Sequence, residues 1–219
     1  MATYRTGIET KQKILKASRK LFYKNGISKT TFARIAETAN VDISSIVYHF
    51  KSFNNLLLVL RNEMTLERRD LVRKKTAEKY PNETFTEMML YSVEFRVAID
   101  LYINYKPYYN FLKDVYFLIQ HLSIETSVIN LYVKELNTGM SKNDIIMYEC
   151  LFKPFQYMIP EFVHIKKVEI SGKEIADFFS RVQFKAYNQD ENYVQQHIDK
   201  RNEIADNITI KCSKNFTLS

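Results

Sequence analysis

The sequence contains little glycine, proline or cysteine and no tryptophan. Its 219 residues include four Gly, four Pro, two Cys and no Trp. Such a shortage of residues that interrupt helices favours a mostly helical protein. Cys150 and Cys212 are far apart and have no His or Cys neighbours at metal-binding spacing. The sequence therefore predicts two free thiols, with no disulfide, no metal site and no cofactor.

Long apolar runs are also missing. No stretch of roughly 18 residues is both apolar and free of charge, so we expect no membrane span. The polar and basic start of the chain, residues 1–13, lacks the apolar centre of a secretory signal. These features predict a cytoplasmic protein, and its length suffices for one or two domains.

The excess of positive charge lies near the N-terminal end. The chain has a net charge of +7, and residues 1–52 carry ten Lys and Arg against three Asp and Glu. That region holds the whole excess, so residues 53–219 are neutral. A concentrated basic region is typical of nucleic-acid binding. A membrane surface would attract the same charge, but the helices predicted here lack a broad Trp, Phe and Leu face.

Within the basic region, two short helices are predicted with a tight turn between them. Thr31 is suited to cap a helix over about 32–39, and Asn40 is suited to end it. Asp42 is suited to cap a second helix over about 43–49. This arrangement predicts a helix-turn-helix, in which the second helix enters the major groove of DNA.

The second helix is expected to expose short polar side chains followed by larger hydrogen-bonding ones, which suit close approach to phosphates and base edges. Arg34 lies near a helix start, where the macrodipole disfavours a cation and a phosphate would reverse that cost. A solvated surface arginine would give the same pattern. The residues predicted to bind DNA are Lys29, Thr31, Arg34, Ser44, Ser45, Val47, Tyr48, His49 and Lys51.

This region resembles the TetR family of bacterial transcription regulators. The family pattern is matched in order and spacing by Ile14-Leu15, Ala17, Leu21-Phe22, Gly26, Thr30-Thr31, Ile35-Ala36, Val41, Tyr48-His49-Phe50 and Leu56-Leu57. Three positions depart from it: Ser44 replaces a usual Gly, Val47 a usual Tyr, and Phe53 a usual Lys that contacts phosphate. We expect the loss of a phosphate contact to lower affinity generally, with Lys51 and Arg34 compensating. The changes in the reading helix are expected to alter the site that is read.

The resemblance implies an all-α protein. It implies an N-terminal three-helix helix-turn-helix DNA-binding domain at 1–52, and a larger helical ligand-binding and dimerisation domain at 53–219. It also implies a homodimer through the last two long helices and a small-molecule effector enclosed by the middle helices. A two-fold dimer predicts a near-palindromic double-stranded DNA operator with half-sites roughly 34 Å or a multiple apart. One apolar stripe suits burial against the partner or in its own core: Ile175, Phe178, Phe179 and Val182.

Caps and periodicity place the helices of the second part. Capping-box sequences are predicted at Thr84 with Glu87, Ser141 with Asp144, and Ser171 with Glu174. Lys106-Pro107 is expected to open another helix, because Pro suits a first turn. Further helices are expected over about 53–79, with a solvated later part, and over about 124–136 and 190–210.

The second part is rich in tyrosine. A buried Tyr hydroxyl needs a partner, so several together predict a cavity with polar points on apolar walls, although ordinary core packing would need the same residues. Such a cavity suits a neutral or weakly polar ligand that is partly aromatic or acyl. The predicted lining is Tyr91, Phe95, Tyr102, Tyr105, Tyr109, Tyr116, Tyr148, Phe152 and Phe155.

We therefore predict a ligand-responsive DNA-binding transcription regulator, a dimeric repressor released from a palindromic operator by a small molecule. No enzyme is predicted, because the four histidines are scattered and no phosphate loop or nucleophile motif is present. The alternative is a TetR-like helical adaptor or co-activator that acts through another protein and binds DNA weakly.

Overall fold

The computed structural model describes residues 2–120, 131, 134–136 and 139–219. These residues form helices and no β-strand beyond one isolated bridge, which confirms the predicted all-α class. The helix predicted over about 124–136 lies mostly outside the described residues. The chain divides into two compact units, and each is described here by itself.

The first unit comprises Met1–Glu67, Pro107–Gln120 and Cys212–Ser219, and the second comprises Arg68–Lys106 and His121–Lys211, within the described residues. The expected functional boundary after residue 52 is not tested by this division and stays a prediction.

Three helices open the first unit. Helix α1 spans Ala2–Asn25, α2 spans Phe32–Ala39 and α3 spans Ile43–Phe50. Helix α1 ends where Gly26 adopts a φ of +74°, a backbone angle that suits glycine. The Thr31 hydroxyl accepts a bond from the Arg34 amide, and Asn40 closes α2 in the left-handed conformation, both as predicted. Asp42 precedes α3, but its side chain makes no capping hydrogen bond.

The core of this unit is apolar and draws on every helix in it. Full burial of one Leu or Ile contributes roughly 1.5–3 kcal/mol, so these contacts position the short α2 and α3, which would not persist alone. Helix α6, which spans Lys106–Val115, is followed by a π turn over Tyr116–Gln120. The buried side chains of the unit include Ile14, Leu15, Phe22, Ile35, Ile46, Phe50, Leu56, Leu57, Leu60 and Phe111.

Helix α4 spans Phe53–Lys79 and begins after Ser52, whose hydroxyl accepts the Asn55 amide. The expectation that its later part is solvated is wrong. Val72 and Thr76 are buried there, and Arg68 is buried in an ion pair with Glu94.

Among the described residues, the second unit contains four further helices. They are α5 (Glu87–Asn104), α7 (Lys142–His164), α8 (Gly172–Ala186) and α9 (Glu191–Asn207). Complete capping boxes start α7 at Ser141 and α8 at Ser171, as predicted. The capping box predicted at Thr84 is wrong, because Thr86 caps α5 and accepts the Met89 amide. An apolar cluster fills the unit: Met88, Leu136, Ile145, Phe184, Tyr187, Val194 and Ile198.

A polar network is also buried in the second unit. Arg201 is fully buried, and its guanidinium donates to the Ser180 hydroxyl at 2.6 Å and pairs with Asp177. One turn earlier on α9, His197 shares a 2.7 Å hydrogen bond with Ser92. Because buried polar groups need partners, this network fixes how α5, α8 and α9 fit together.

Candidate DNA-binding surface

Helix α3 presents one side to solvent. Tyr48 is 72% exposed, and Ser44 and Val47 are exposed beside it, while Ile46 and Phe50 are buried. Helical periodicity requires this division, since the buried pair is one turn apart and holds α3 against the unit. The exposed side offers a hydroxyl, a methyl-bearing group and a phenol, which together suit hydrogen bonding and apolar contact with base edges.

Ser45 and His49 were expected on the exposed side, but both side chains are half-buried. The His49 ring lies beside α1, because a Cβ added at Gly7 would be 4.0 Å from His49 Cε1. The His49 ring also meets Tyr48 edge-on, with centroids 5.1 Å apart. His49 therefore supports the orientation of Tyr48 and packs near α1, besides the DNA contact predicted for it.

Lys51 follows α3 in an unusual backbone conformation. Its φ is +64° and its ψ −46°, and the Ser52 amide donates to the Phe50 carbonyl at 2.7 Å, which makes a γ-turn. This turn is rare and strained for a residue with a Cβ, and such strain is often found at functional sites. The turn places the Lys51 ammonium 5.3 Å from the centre of the Tyr48 ring. A cation and the most exposed side chain of α3 are thereby held together.

The predicted residues before and within α2 are also on the surface. Lys29, Thr31 and Arg34 are exposed. The Arg34 guanidinium donates to the Lys29 carbonyl at 2.6 Å. This local bond accounts for a cation near the start of α2 without a phosphate, although the side chain stays accessible to one.

Not all of the basic charge is free. Arg19 is held by two hydrogen bonds to Glu67, one of them 2.8 Å long, and Glu63 lies 3.5 Å away. Both carboxylates come from α4, so the charge of residues 1–52 overstates what is available to DNA. Sequence position alone does not reveal this pairing, because the partners are more than 40 residues apart.

Phe53 has a packing role that its sequence position does not suggest. Its ring meets Phe22 edge-on at 5.9 Å and lies 5.6 Å from the ring of Phe32, the first residue of α2. A Lys at this position would lose those ring contacts. The departure from the expected Lys therefore exchanges a phosphate contact for an aromatic contact between α1, α2 and α4 inside the unit.

Comparison with known proteins agrees with this geometry. The model of bacterial regulatory proteins of the tetR family matches residues 14–60, which include α2, α3 and the start of α4. Over this segment the chain is similar to the TetR family. Two proteins from Pseudomonas putida are similar to part of this chain, the HTH-type transcriptional regulator TtgR and the probable HTH-type transcriptional regulator ArpR.

Each relative is 34% identical over 70 residues, which is 32% of this chain. The match spans about a third of each relative, 33% of its length. The likeness to these two relatives therefore concerns about a third of the chain, 32% of its length.

The nine aromatic residues predicted to line a ligand cavity fall in both units. Tyr109 and Tyr116 are buried in the first unit, while Tyr91, Phe95, Tyr102, Tyr105, Tyr148, Phe152 and Phe155 belong to the second. Tyr102 stacks on Tyr157 with centroids 5.6 Å apart. Phe155 is 47% exposed on α7, so it is placed at the surface of its unit rather than enclosed. The ligand-binding role stays a prediction.

The described part of the chain offers no group of three or more His, Cys, Asp and Glu placed to hold a metal ion. No helix among the described residues is long and apolar enough to cross a membrane.

Proposed function

We propose that this protein is a DNA-binding transcription regulator that reads DNA with α3. The observation that carries the proposal is Tyr48, which is 72% exposed on α3 with the Lys51 ammonium beside its ring. Packing within the first unit does not explain why a large aromatic residue is exposed on this short helix. The names of the two relatives, both HTH-type transcriptional regulators, support the same function.

In this proposal the DNA-binding side chains form two groups, one that contacts base edges and one that contacts phosphates. Ser44, Val47 and Tyr48 contact base edges in the major groove, where hydroxyl groups and apolar surfaces distinguish sequences. Lys29, Thr31, Arg34, Ser45, His49 and Lys51 contact or orient toward phosphates, which contributes affinity and register. With Arg19 paired and Phe53 replacing a cation, phosphate contacts are expected to be few and the salt dependence modest.

A second copy of the chain is the proposed partner of α7. Helix α7 and its end expose large apolar side chains at steps of three and four residues, the spacing of a helix seam that packs against another helix. Phe178 on α8 is exposed as well. The exposed members of the α7 seam are Met147, Leu151, Phe155, Met158, Phe162 and Ile165.

This assignment changes the interface expected from the sequence. Ile175 and Phe179 of the predicted stripe are buried within the second unit, and only Phe178 is exposed. The last helix, α9, also buries its apolar positions, so it has no apolar face for a partner. Its exposed residues are Glu191, Asn192, Gln196, Asp199, Glu203, Asp206 and Asn207. We therefore propose the two-fold contact on α7 and Phe178 of α8, and not on α9.

Release by a small molecule completes the proposed function. The second-unit aromatic residues Tyr91, Phe95, Tyr102, Tyr148 and Phe152 are the candidates to contact an effector, because they are buried or half-buried and most carry a polar group on an apolar ring. An effector acts only if it binds the DNA-free state more tightly than the DNA-bound state. Repression is the proposed outcome of operator binding.

The test of DNA reading is the Tyr48→Ala variant. Duplex DNA from the region upstream of the protein's own gene is titrated and followed by fluorescence anisotropy at several salt concentrations. We expect the variant to lose at least about fivefold in affinity, since a good base-edge contact contributes roughly 1–3 kcal/mol. Leu66→Ala, which removes another exposed side chain of the first unit, is the matched control and should bind as the wild type does. Equal affinity of the Tyr48 variant would show that α3 is not the reading helix.

The adaptor function is the second candidate, and Phe53 with the paired Arg19 favours it. If it holds, the wild-type protein will shift no duplex even at low salt, while a second regulator co-purifies with it.

A further inference from the structure

Residues 212–219, called the anchor segment here, belong to the first unit although they follow the last helix of the second. The segment folds back on itself. The Ser213 amide donates to the Thr217 carbonyl at 2.8 Å, and Cys212 and Leu218 form an antiparallel bridge. This short loop brings Phe216 to its tip, inside the unit that holds the helix-turn-helix.

The backbone of the loop is strained in order to bury that ring. Asn215 and Phe216 have φ values of +60° and +61°, in the left-handed region that residues with a Cβ seldom adopt. Such a conformation persists only when surrounding contacts over-determine it. The contacts of the Phe216 side chain meet this condition, because that side chain is completely buried.

Phe216 lies among three rings from α1 and α6. Its centroid is 5.2 Å from Phe111, 5.4 Å from Tyr23 and 6.4 Å from Tyr108. Separations of this size are those of favourable aromatic pairs. The anchor segment therefore connects the end of α1 with α6 through one side chain.

The ring contacts continue from there into the helix-turn-helix. Phe111 lies 5.4 Å from Phe22, Phe22 lies 5.9 Å from Phe53, and Phe53 lies 5.6 Å from Phe32 at the start of α2. An unbroken series of aromatic contacts thus runs from Phe216 to α2. It passes through Phe53, the residue that stands where a phosphate-binding Lys was expected.

We propose that Phe216 is a positioning residue for DNA binding: docking of the anchor segment holds α1, α2 and α6 in the arrangement in which α3 reads DNA. This inference rests on the proposed DNA-binding function. If docking favours DNA binding by some factor, DNA binding must favour docking by the same factor, because coupling between two equilibria is reciprocal. A purely structural contact, made equally with and without DNA, would show no such reciprocity.

The two cysteines provide the measurement. Cys212 lies in the anchor segment and is buried, and burial raises the pKa of its thiol to about 11. Since the thiolate is the reactive form, a maleimide reacts with Cys212 only when the segment opens. Cys150 is exposed on α7 and serves as an internal reference in the same chain.

The experiment measures maleimide labelling of both thiols by mass spectrometry, and duplex binding by anisotropy, in the full-length protein. The probe is a random-sequence duplex of roughly 30 base pairs at low salt. The variants are Phe216→Ala and, as the matched control, Thr217→Ala, which changes an exposed neighbour in the same loop. We expect Phe216→Ala to speed Cys212 labelling at least about tenfold and weaken duplex binding by a similar factor, within the usual range of such couplings. Cys150 should react equally in all samples, and Thr217→Ala should match the wild type.

In the wild-type protein, saturating duplex should slow Cys212 labelling by the factor that the Phe216 substitution costs in affinity. Faster Cys212 labelling with unchanged duplex affinity would overturn the positioning role, and so would a wild-type labelling rate that duplex does not alter. That wild-type measurement needs no substitution, so it decides the matter even if Phe216→Ala unfolds the first unit. Wild-type protein that binds no duplex would refute the proposed DNA-binding function itself, while unchanged Cys212 labelling in Phe216→Ala would refute the anchor alone.

Discussion

Acidification should destabilise the second unit through His197. The ring is buried, accepts or donates one 2.7 Å hydrogen bond with Ser92, and meets Phe184 edge-on at 4.8 Å. Burial, with a smaller contribution from the positive charge of Arg201, lowers the pKa of His197 from 6.5 to about 4. The folded protein therefore keeps this histidine neutral at pH values where the unfolded chain protonates it.

The sign and size of the effect follow from proton linkage. The unfolded state binds the extra proton, so stability falls as the pH drops below 6.5 and stops falling near pH 4. Each unit of pH in that window corresponds to about 1.4 kcal/mol, so His197 should remove about 2 kcal/mol of unfolding free energy between pH 6.5 and 5, and about 3 kcal/mol by pH 4.

The assay is urea unfolding at a fixed protein concentration over this pH range, with His197→Gln beside the wild type. Glutamine can bond to Ser92 but does not titrate, so the variant should lose about 2 kcal/mol less than the wild type between pH 6.5 and 5. Comparison of the two cancels the contributions of other groups. Parallel stability curves for the two proteins would refute the reasoning, since they would mean that the folded protein protonates His197 as readily as the unfolded chain does.

Two further predictions concern DNA binding by the first unit and the dimer contact. Phe53→Lys should restore a phosphate contact and steepen the salt dependence of duplex binding by about one charge per protomer, while loss of the ring contacts lowers stability. Phe53→Met is the uncharged control. A salt dependence of Phe53→Lys equal to that of the control would contradict the prediction. Phe162→Glu on the exposed seam of α7 should raise the dimer dissociation constant at least about tenfold in analytical ultracentrifugation, because a carboxylate would be buried unpaired. Lys142→Glu, at the start of the same helix, is the control and should leave the dimer intact. If the dimer dissociation constant of Phe162→Glu equals that of the wild type, α7 is not the interface.

The helix-turn-helix was predictable because its signals are local. Thr31 caps α2 through an amide three residues away, and Asn40 ends that helix with its own backbone. The periodic burial of Ile35, Ile46 and Phe50 follows from helix geometry alone. Adjacent candidates were harder to separate: Thr84 and Thr86 both precede α5, and only the folded backbone shows that Thr86 is the cap.

The roles of Arg19 and Phe53 were not predictable in the same way. Arg19 contributes to the basic charge of the N-terminal region, but its partner Glu67 is 48 residues away. Phe53 interrupts the family pattern without indicating what its ring contacts. In both cases the partner comes from another helix, and pairing between helices depends on their packing.

By itself the sequence determined which segments become helices, where most of them begin and end, and which short helix carries the exposed Tyr48, because capping and amphipathic periodicity act within a few residues. Only the tertiary structure decided which apolar faces are buried within a unit and which stay exposed. The apolar positions of α9 fill the second unit, the seam of α7 stays exposed, and Phe216 returns to complete the aromatic core of the first unit. Periodicity states that a face is apolar, but the identity of what covers it depends on contacts between residues far apart in the chain.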